Sequence, residues 1–306
     1  MINLLCSSKP GDGLLRYSYE HCAYLNSIGI KSQLIIIPHY NFSKQDYLTA
    51  ISEQYKTPHE PIIFDVYNPH SNEITLVMGR SMVTLPYKDR KMYSHDQLIT
   101  LHQLFSNNLI SVYSENHPTE YPLALEYFNA KKVYDLCDTD VYPAGVGGYF
   151  QKMINFSVYK PVVQDTKFEF LFLGTNREYY GECVNVLLNN KHFKKQRNHK
   201  SYGIITYNEK WINPNLNNIF VPVKNLLGIF NTYVYTKPSF DPAPRLIQEC
   251  KWLGKEVIYT EKREKMIKDG GAIYWNRPVP TAKMYSDNIN ILVNMIKAIN
   301  NDNRMD

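Results

Sequence analysis

The chain has 306 residues, 44% of them hydrophobic and 21% charged, with a formal net charge of +5. That length suits two domains of about 150 residues better than one core, and the composition is that of a soluble globular protein. No apolar run approaches the ~20 residues that cross a bilayer, so no membrane span is expected, and the modest charge permits an acidic partner without demanding one.

The start, "MINLLCSSKPGDG", lacks a basic leader. It reads as a buried strand over Ile2 to Cys6 rather than a signal peptide. Gly11 and Gly13 mark a turn around Asp12, and Leu14 to Ile28 has helical spacing through Tyr17, Cys22, Leu25 and Ile28. Gly29 closes that helix, Ser32 to Ile37 is a second strand ending at Pro38, and Ser43 to Tyr55 is helical. "PIIFDVYNP" gives a third strand, "ITLVMGRSMVTLP" is strand-rich, "DQLITLHQLF" is helical and "LISVYSE" is extended. Continuous apolar strands between helices indicate a parallel sheet covered on both faces.

A second series follows "DTDVYPAGVGGYFQKM". "FEFLFLGTNREYYGECVNVLL" reads as strand, glycine loop and helix, and "SYGIITY" and "NIFVPV" are further strands. In "YTKPSFDPAPRLIQECKWLGKEVIYTEK", Val234 and Tyr235 end a strand and three prolines keep the next segment irregular. Leu246, Ile247, Cys250 and Leu253 recur with helical spacing, Gly254 stops the helix, and Glu256 to Tyr259 is a strand. The last helix, near Ser286 to Ile299, carries Ile289, Leu292, Val293 and Ile296 on one side. Pro143, Gly145, Gly147, Gly148 and Pro161 place the boundary within 145–165. The expectation is α/β with two Rossmann-like domains facing across a cleft: 1–150, and 151–306 with the last helix packing back on the first domain.

Cys6, Cys22, Cys137, Cys183 and Cys250 are odd in number, scattered, and never spaced C-x-x-C. They read as reduced thiols of a cytoplasmic protein. The 25 tyrosines suit stacking on sugars or bases, and follow equally from the codons of an AT-rich genome. The basic runs "KHFKKQRNHK" and "YKDRK" read as solvated faces or as phosphate-contacting surfaces.

Two loops at the carboxyl edge of the second domain carry chemistry. In "FLGTNREYYGE", Gly174 permits close backbone approach, and Thr175 or Asn176 can cap a helix whose free N–H groups favour phosphate. Arg177 adds a forked, permanent charge. In the later stretch, Asp241 can cap the helix and Pro244 suits its first turn. Arg245 lies beside Pro244, and Glu249 follows one turn later on the same face. A carboxylate there suits ribose hydroxyls, and a surface ion pair is the plainer alternative.

These residues resemble those of GT-B glycosyltransferases, and the second half is similar to the donor domain of the T-even phage DNA β-glucosyltransferases, which modify hydroxymethylcytosine. The family sequence "GGSFRSGQRE" is echoed by "LGTNREYYGE", so Gly174 and Arg177 carry over. Arg245 and Glu249 match a later arginine and glutamate, with a spacing of four here and three in the family. A second family arginine has no counterpart, since Tyr180 and Gly181 occupy that region.

The resemblance implies transfer of glucose or a pentose such as arabinose from a UDP-sugar to hydroxymethylated pyrimidine in DNA, in the cytoplasm of a phage-infected bacterium. It implies no obligatory cofactor, with a divalent metal optional. "DTD" at 138–140 is the one D-x-D, and it reads as structural. The base is expected from the first half, with Asp12, Asp65, Glu115 and His117 as candidates. Lys88, Arg90 and Lys91 are the expected contacts to double-stranded DNA, and no protein partner is evident. The competing readings are a surface-polysaccharide glycosyltransferase, a UDP-sugar epimerase and a non-catalytic nucleotide or nucleotide-sugar binding protein. A dinucleotide dehydrogenase fits poorly: "GDG" lacks the next glycine of the fingerprint, and Pro38 and His39 stand where an acidic residue belongs.

Overall fold

Largely apolar segments of two to six residues form the strands of a computed structural model of the chain. It describes residues 1–38, 42–56, 62–64, 74–78, 99, 108–112, 132–136, 150–193, 201–206, 212–219, 226–237, 245–260 and 278–302. The chain forms two units, one of Met1–Lys160 with Pro280–Asp306 and one of Pro161–Val279.

In the first unit, β1 (Ile2–Cys6), β2 (Ser32–Ile36), β3 (Ile62–Phe64), β4 (Ile74–Met78), β5 (Asn108–Val112) and β6 (Lys132–Leu136) form one sheet. Their order is β3-β2-β1-β4-β5-β6 and every pairing is parallel. This is the doubly wound order in which connections diverge between β1 and β4. β1, β2 and β4 are buried along their whole length, as strands with both faces covered must be. β6 was not expected from the sequence. "KVYDL" carries two charged residues, Lys132 and Asp135, as suits a strand at the end of the sheet order beside β5.

Helix α1 (Gly13–Ser27) begins behind Gly11, whose φ of 76° needs a glycine, and ends at Gly29, φ 83°. Helix α2 (Lys44–Gln54) carries a capping box between Ser43 and Asp46. A buried carboxylate holds the later chain to α1: Glu20 accepts from the Tyr55 hydroxyl at 2.7 Å and from the Asn155 N–H at 3.1 Å. The Lys160 N–H also donates to Gln54 O at 2.8 Å, and Tyr55 bridges Tyr159. These bonds keep residues 150–160 with the first unit.

The last helix, called α5 here (Ala282–Asp302), starts a turn before Ser286, because Thr281 Oγ1 accepts from the Met284 N–H at 3.2 Å. It buries Tyr285, Ile289, Leu292, Val293 and Ile296. Tyr285 Oη lies 2.9 Å from His21 Nδ1, Tyr24 Oη donates to Ser286 Oγ at 2.7 Å, and the Asn288 side chain bonds the Gln151 backbone in both directions.

The second unit holds β7 (Phe168–Leu173), α3 (Arg177–Asn189), β8 (Tyr202–Ile205), β9 (Asn218–Ile219), β10 (Phe230–Tyr235), α4 (Arg245–Trp252) and β11 (Glu256–Tyr259). The strand order is β11-β10-β7-β8-β9, again all parallel. Alternation along β7 divides two cores. Phe170 and Phe172 pack with Tyr180, Cys183 and Leu187 of α3, and Leu171 packs with Ile247 and Cys250 of α4. The two helices therefore cover opposite faces.

Two glycines of this unit should respond oppositely to alanine. A Cβ on Gly228 would lie 2.1 Å from the Val163 carbonyl oxygen, whereas one on Gly181, inside α3, would meet nothing within 4 Å. Gly228→Ala should destabilise by about 1–3 kcal/mol, and Gly181→Ala should stabilise by about 0.5–1 kcal/mol. Denaturant titration of the two variants beside the parent checks both signs.

Candidate functional site: the carboxyl edge of the second sheet

β7 pairs with β10 on one side and β8 on the other, and its connection to β8 departs away from the side where β10 joins. Such a switch point opens a crevice outside the carboxyl ends of the strands. The register aligns Val234 with Phe172 and Phe172 with Ile204. Two residues on, Thr236, Gly174 and Thr206 continue the same row on the α3 face.

Gly174 is required there by packing. Its Cβ would stand 3.0 Å from Tyr180 Cα and 3.0 Å from Tyr180 Cδ2, so α3 seats directly on the strand end. The Tyr180 hydroxyl donates to Asn218 Oδ1 and accepts from the Asn213 N–H, both at 2.8 Å. Cys183 Sγ lies 3.2 Å from Thr236 Oγ1, tying α3 to the end of β10. Thr206 Oγ1 is fully buried and has no hydrogen-bond partner among the described residues.

Asn176 caps α3, its side chain accepting from the Tyr179 N–H at 2.8 Å. The Arg177 and Glu178 N–H groups precede any intrahelical acceptor. Arg177 is exposed at the first helical position, and its guanidinium makes no hydrogen bond or ion pair among the described residues. The sequence reading missed Lys237. It follows β10 by two residues, and its ammonium lies 5.2 Å from the Tyr179 ring centroid, over the first turn of α3. A lysine between a strand end and Pro238 was the available signal.

Arg245 and Glu249 do meet. Arg245 Nε donates to Glu249 Oε1 at 3.0 Å, and their side chains are 5% and 1% exposed. The pair is buried, which sets aside the reading of a solvent-exposed surface bridge. Burying two charges costs several kcal/mol before their attraction offsets it, so such a pair is a poor stabilising device. Its geometry instead fixes a guanidinium in the first turn of a helix that enters from the switch point.

In the first unit, Asp12 is the N-cap of α1, exposed at the carboxyl end of β1. Its side chain accepts from the Leu14 N–H at 3.4 Å. Asp65, Glu115, His117, Asp241, Lys88, Arg90 and Lys91 lie outside the described residues. Among the described residues, no cluster of three or more His, Cys, Asp or Glu side chains could hold a metal, and no helix is long and apolar enough to cross a membrane.

No protein-family model matches the chain, and no curated relative matches it. Two solved structures are similar at 13% identity. One is an α-glucosyltransferase in complex with UDP and a 13-mer DNA containing an HMU base, covering 88% of this chain and 68% of that one with a TM-score of 0.40. The other is a glycosyltransferase from Rickettsia africae ESF-5, covering 99% of this chain and 96% of that one with a TM-score of 0.35. Scores this low leave the reading of the site to the chain's own residues.

The thiols near these helices should be inert. Burial pushes Cys183 up to about 12 and Cys6 and Cys22 up to about 11, and it raises Cys250 as well. A thiol needs its thiolate to react, so iodoacetamide at about pH 8 should leave these four unlabelled in the native protein. Peptide mass mapping with and without denaturant checks it. Because the folded state holds these protons more tightly, their contribution to stability is intact below the unfolded thiol value of 9.0 and is lost as pH rises through 11 to 12. The thermal midpoint should fall across that window.

Proposed function

We propose that the chain is a glycosyltransferase of the GT-B type. It moves glucose or a pentose such as arabinose from a UDP-linked donor to hydroxymethylated pyrimidine in phage DNA. The observation that carries this reading is Arg177, an exposed guanidinium at the start of a helix that opens onto the switch point between β7 and β10.

In the transfer, the acceptor hydroxyl attacks the anomeric carbon and gives its proton to a carboxylate. The bond from that carbon to the β-phosphate oxygen breaks, and the electron pair leaves on UDP. Positive charge already aimed at the diphosphate lowers the barrier, because that is where negative charge grows. Arg177 supplies it at the mouth of α3, with the first-turn N–H groups and the helix dipole behind it. Arg245 supplies it from α4, and Glu249 accepts a hydrogen bond from a ribose hydroxyl. Gly174 brings α3 close enough to do this, while Thr175 and Asn176 set its first turn.

For the base we assign Asp12, at the carboxyl end of β1. Its capping contact of 3.4 Å is long, and a carboxylate has further lone pairs for a proton. Asp65, Glu115 and His117 remain the alternatives by sequence. Lys88, Arg90 and Lys91 are assigned to DNA phosphates, which hold the duplex without reading its sequence.

The direct test is the mass of hydroxymethylated duplex DNA after incubation with UDP-glucose or UDP-arabinose. A gain of one hexose or pentose per modified base is expected. Donor binding without any gain identifies a nucleotide-binding protein instead. Arg177→Ala should weaken UDP binding by about 1.5–3 kcal/mol and leave the fold intact. Unchanged affinity would overturn the site. Changing Lys88, Arg90 and Lys91 together to glutamine should flatten the salt dependence of DNA binding, by roughly 0.9 in log–log slope for each phosphate no longer neutralised.

A further inference from the structure

Gln248 is a buried polar group that neither the core nor the ion pair explains. It is 7% exposed, and its Oε1 is enclosed with no hydrogen-bond partner among the described residues. Leaving an acceptor in that condition forfeits its hydration with nothing in return. Folded proteins rarely tolerate it without a reason, and a ligand absent from the structure is one such reason. A methionine at 248 would fill the same volume at no polar cost, so core packing does not call for an amide.

Its place on α4 narrows the reason. Ile247 and Cys250 face the sheet. Gln248 is three residues after Arg245 and next to Glu249, so the three polar side chains share the other side of the helix. The first two turns of α4 thus bury a basic, an acidic and a neutral polar group together.

We propose that Gln248 reads the ribose of the bound nucleotide, completing a hydrogen-bond pattern that Glu249 alone leaves unfinished. This rests on the donor-site reading above. Each ribose hydroxyl can donate one hydrogen bond and accept others, whereas an ionised carboxylate only accepts. A diol that donates one hydrogen bond to Glu249 therefore still has a second hydroxyl proton to place, and oxygens that no carboxylate can serve. Gln248 Nε2 donates to one of those oxygens, and Oε1 accepts the proton of the other hydroxyl. One carboxylate beside one amide matches a vicinal diol. A deoxyribose lacks one hydroxyl and leaves part of this set unmet, which is how such sites discriminate.

The experiment compares UDP and 2′-deoxy-UDP binding by calorimetry, with the thermal midpoint of each ligand-free protein, for the parent, Gln248→Met, Gln248→Glu and Arg177→Ala. Removing an unmet buried acceptor should leave the Gln248→Met midpoint equal to or above that of the parent. UDP affinity should fall about 10-fold in Gln248→Met, with a narrower UDP/2′-deoxy-UDP ratio. Gln248→Glu keeps the shape and loses the donor, and should also bind UDP more weakly. Arg177→Ala should weaken both nucleotides and preserve their ratio. If both Gln248 variants keep the parental affinity and ratio while Arg177→Ala loses binding, the nucleotide site stands and the role of Gln248 does not. A lowered midpoint in Gln248→Met with unchanged UDP binding makes it a structural residue. If the parent binds neither nucleotide, the donor-site reading itself falls.

Discussion

The carboxyl edge of the second unit depends on the missing side chain of Gly174. With a Cβ there, Tyr180 Cα would be 3.0 Å away, and α3 would have to lift from the strand end. Lifting it would break what Tyr180 does with its hydroxyl, which joins α3 to Asn213 and Asn218 beside β9. It would also separate Cys183 from Thr236, the bond that joins α3 to β10. One absent methyl group thus lets a single helix bond to β9 on one side of β7 and to the end of β10 on the other, and the position of Arg177 follows. In the donor family of the resemblance a glycine also ends this strand. Here its necessity has a local cause in packing, independent of any ligand.

The same edge concentrates groups that a stability argument does not favour. A buried arginine–glutamate pair gains little over a well-packed apolar pair, and an enclosed amide oxygen loses outright. Thr206 adds, at the end of β8, a buried hydroxyl without a partner among the described residues. Elsewhere in the second unit the interior is aromatic and aliphatic, with Phe170, Phe172, Phe193 and Tyr202 in edge-to-face contact. Natural folds that break local rules in one place generally do so where they work. The contrast between these two regions is what favours the proposed site at one end of this sheet.

Strands buried on both faces were legible because burial on both faces leaves only one kind of sequence. β1 and β2 match the runs read from the sequence within one residue, β10 ends at Tyr235 where its run ends, and Gly29 and Gly254 mark helix ends where φ is 83° and 68°. β6 escaped because Lys132 and Asp135 interrupt its pattern, as an edge position allows. The spacing of Arg245 and Glu249 fixed a shared helix face, but no spacing rule says whether that face is wet. Burial depends on neighbours distant in sequence, and it turned an ordinary ion pair into an informative one. Lys237 was passed over for a related reason. Its contact with Tyr179 spans 58 residues of chain and exists only because β7 and β10 are adjacent.

The Tyr285–His21 and Asn288–Gln151 contacts bear on how the protein is made. They join α5 to segments synthesised long before it, and the whole of the second unit lies between in the chain. A ribosome therefore releases Pro161–Val279 while the first unit still lacks its last helix. The second unit can close on its own strands during synthesis, since each of its pairings is internal. The first unit waits, with the α1 surface that Tyr285 and Ser286 will cover still open to chaperones or to other nascent chains. A helix made after the second unit is thus the one that completes the unit made before it.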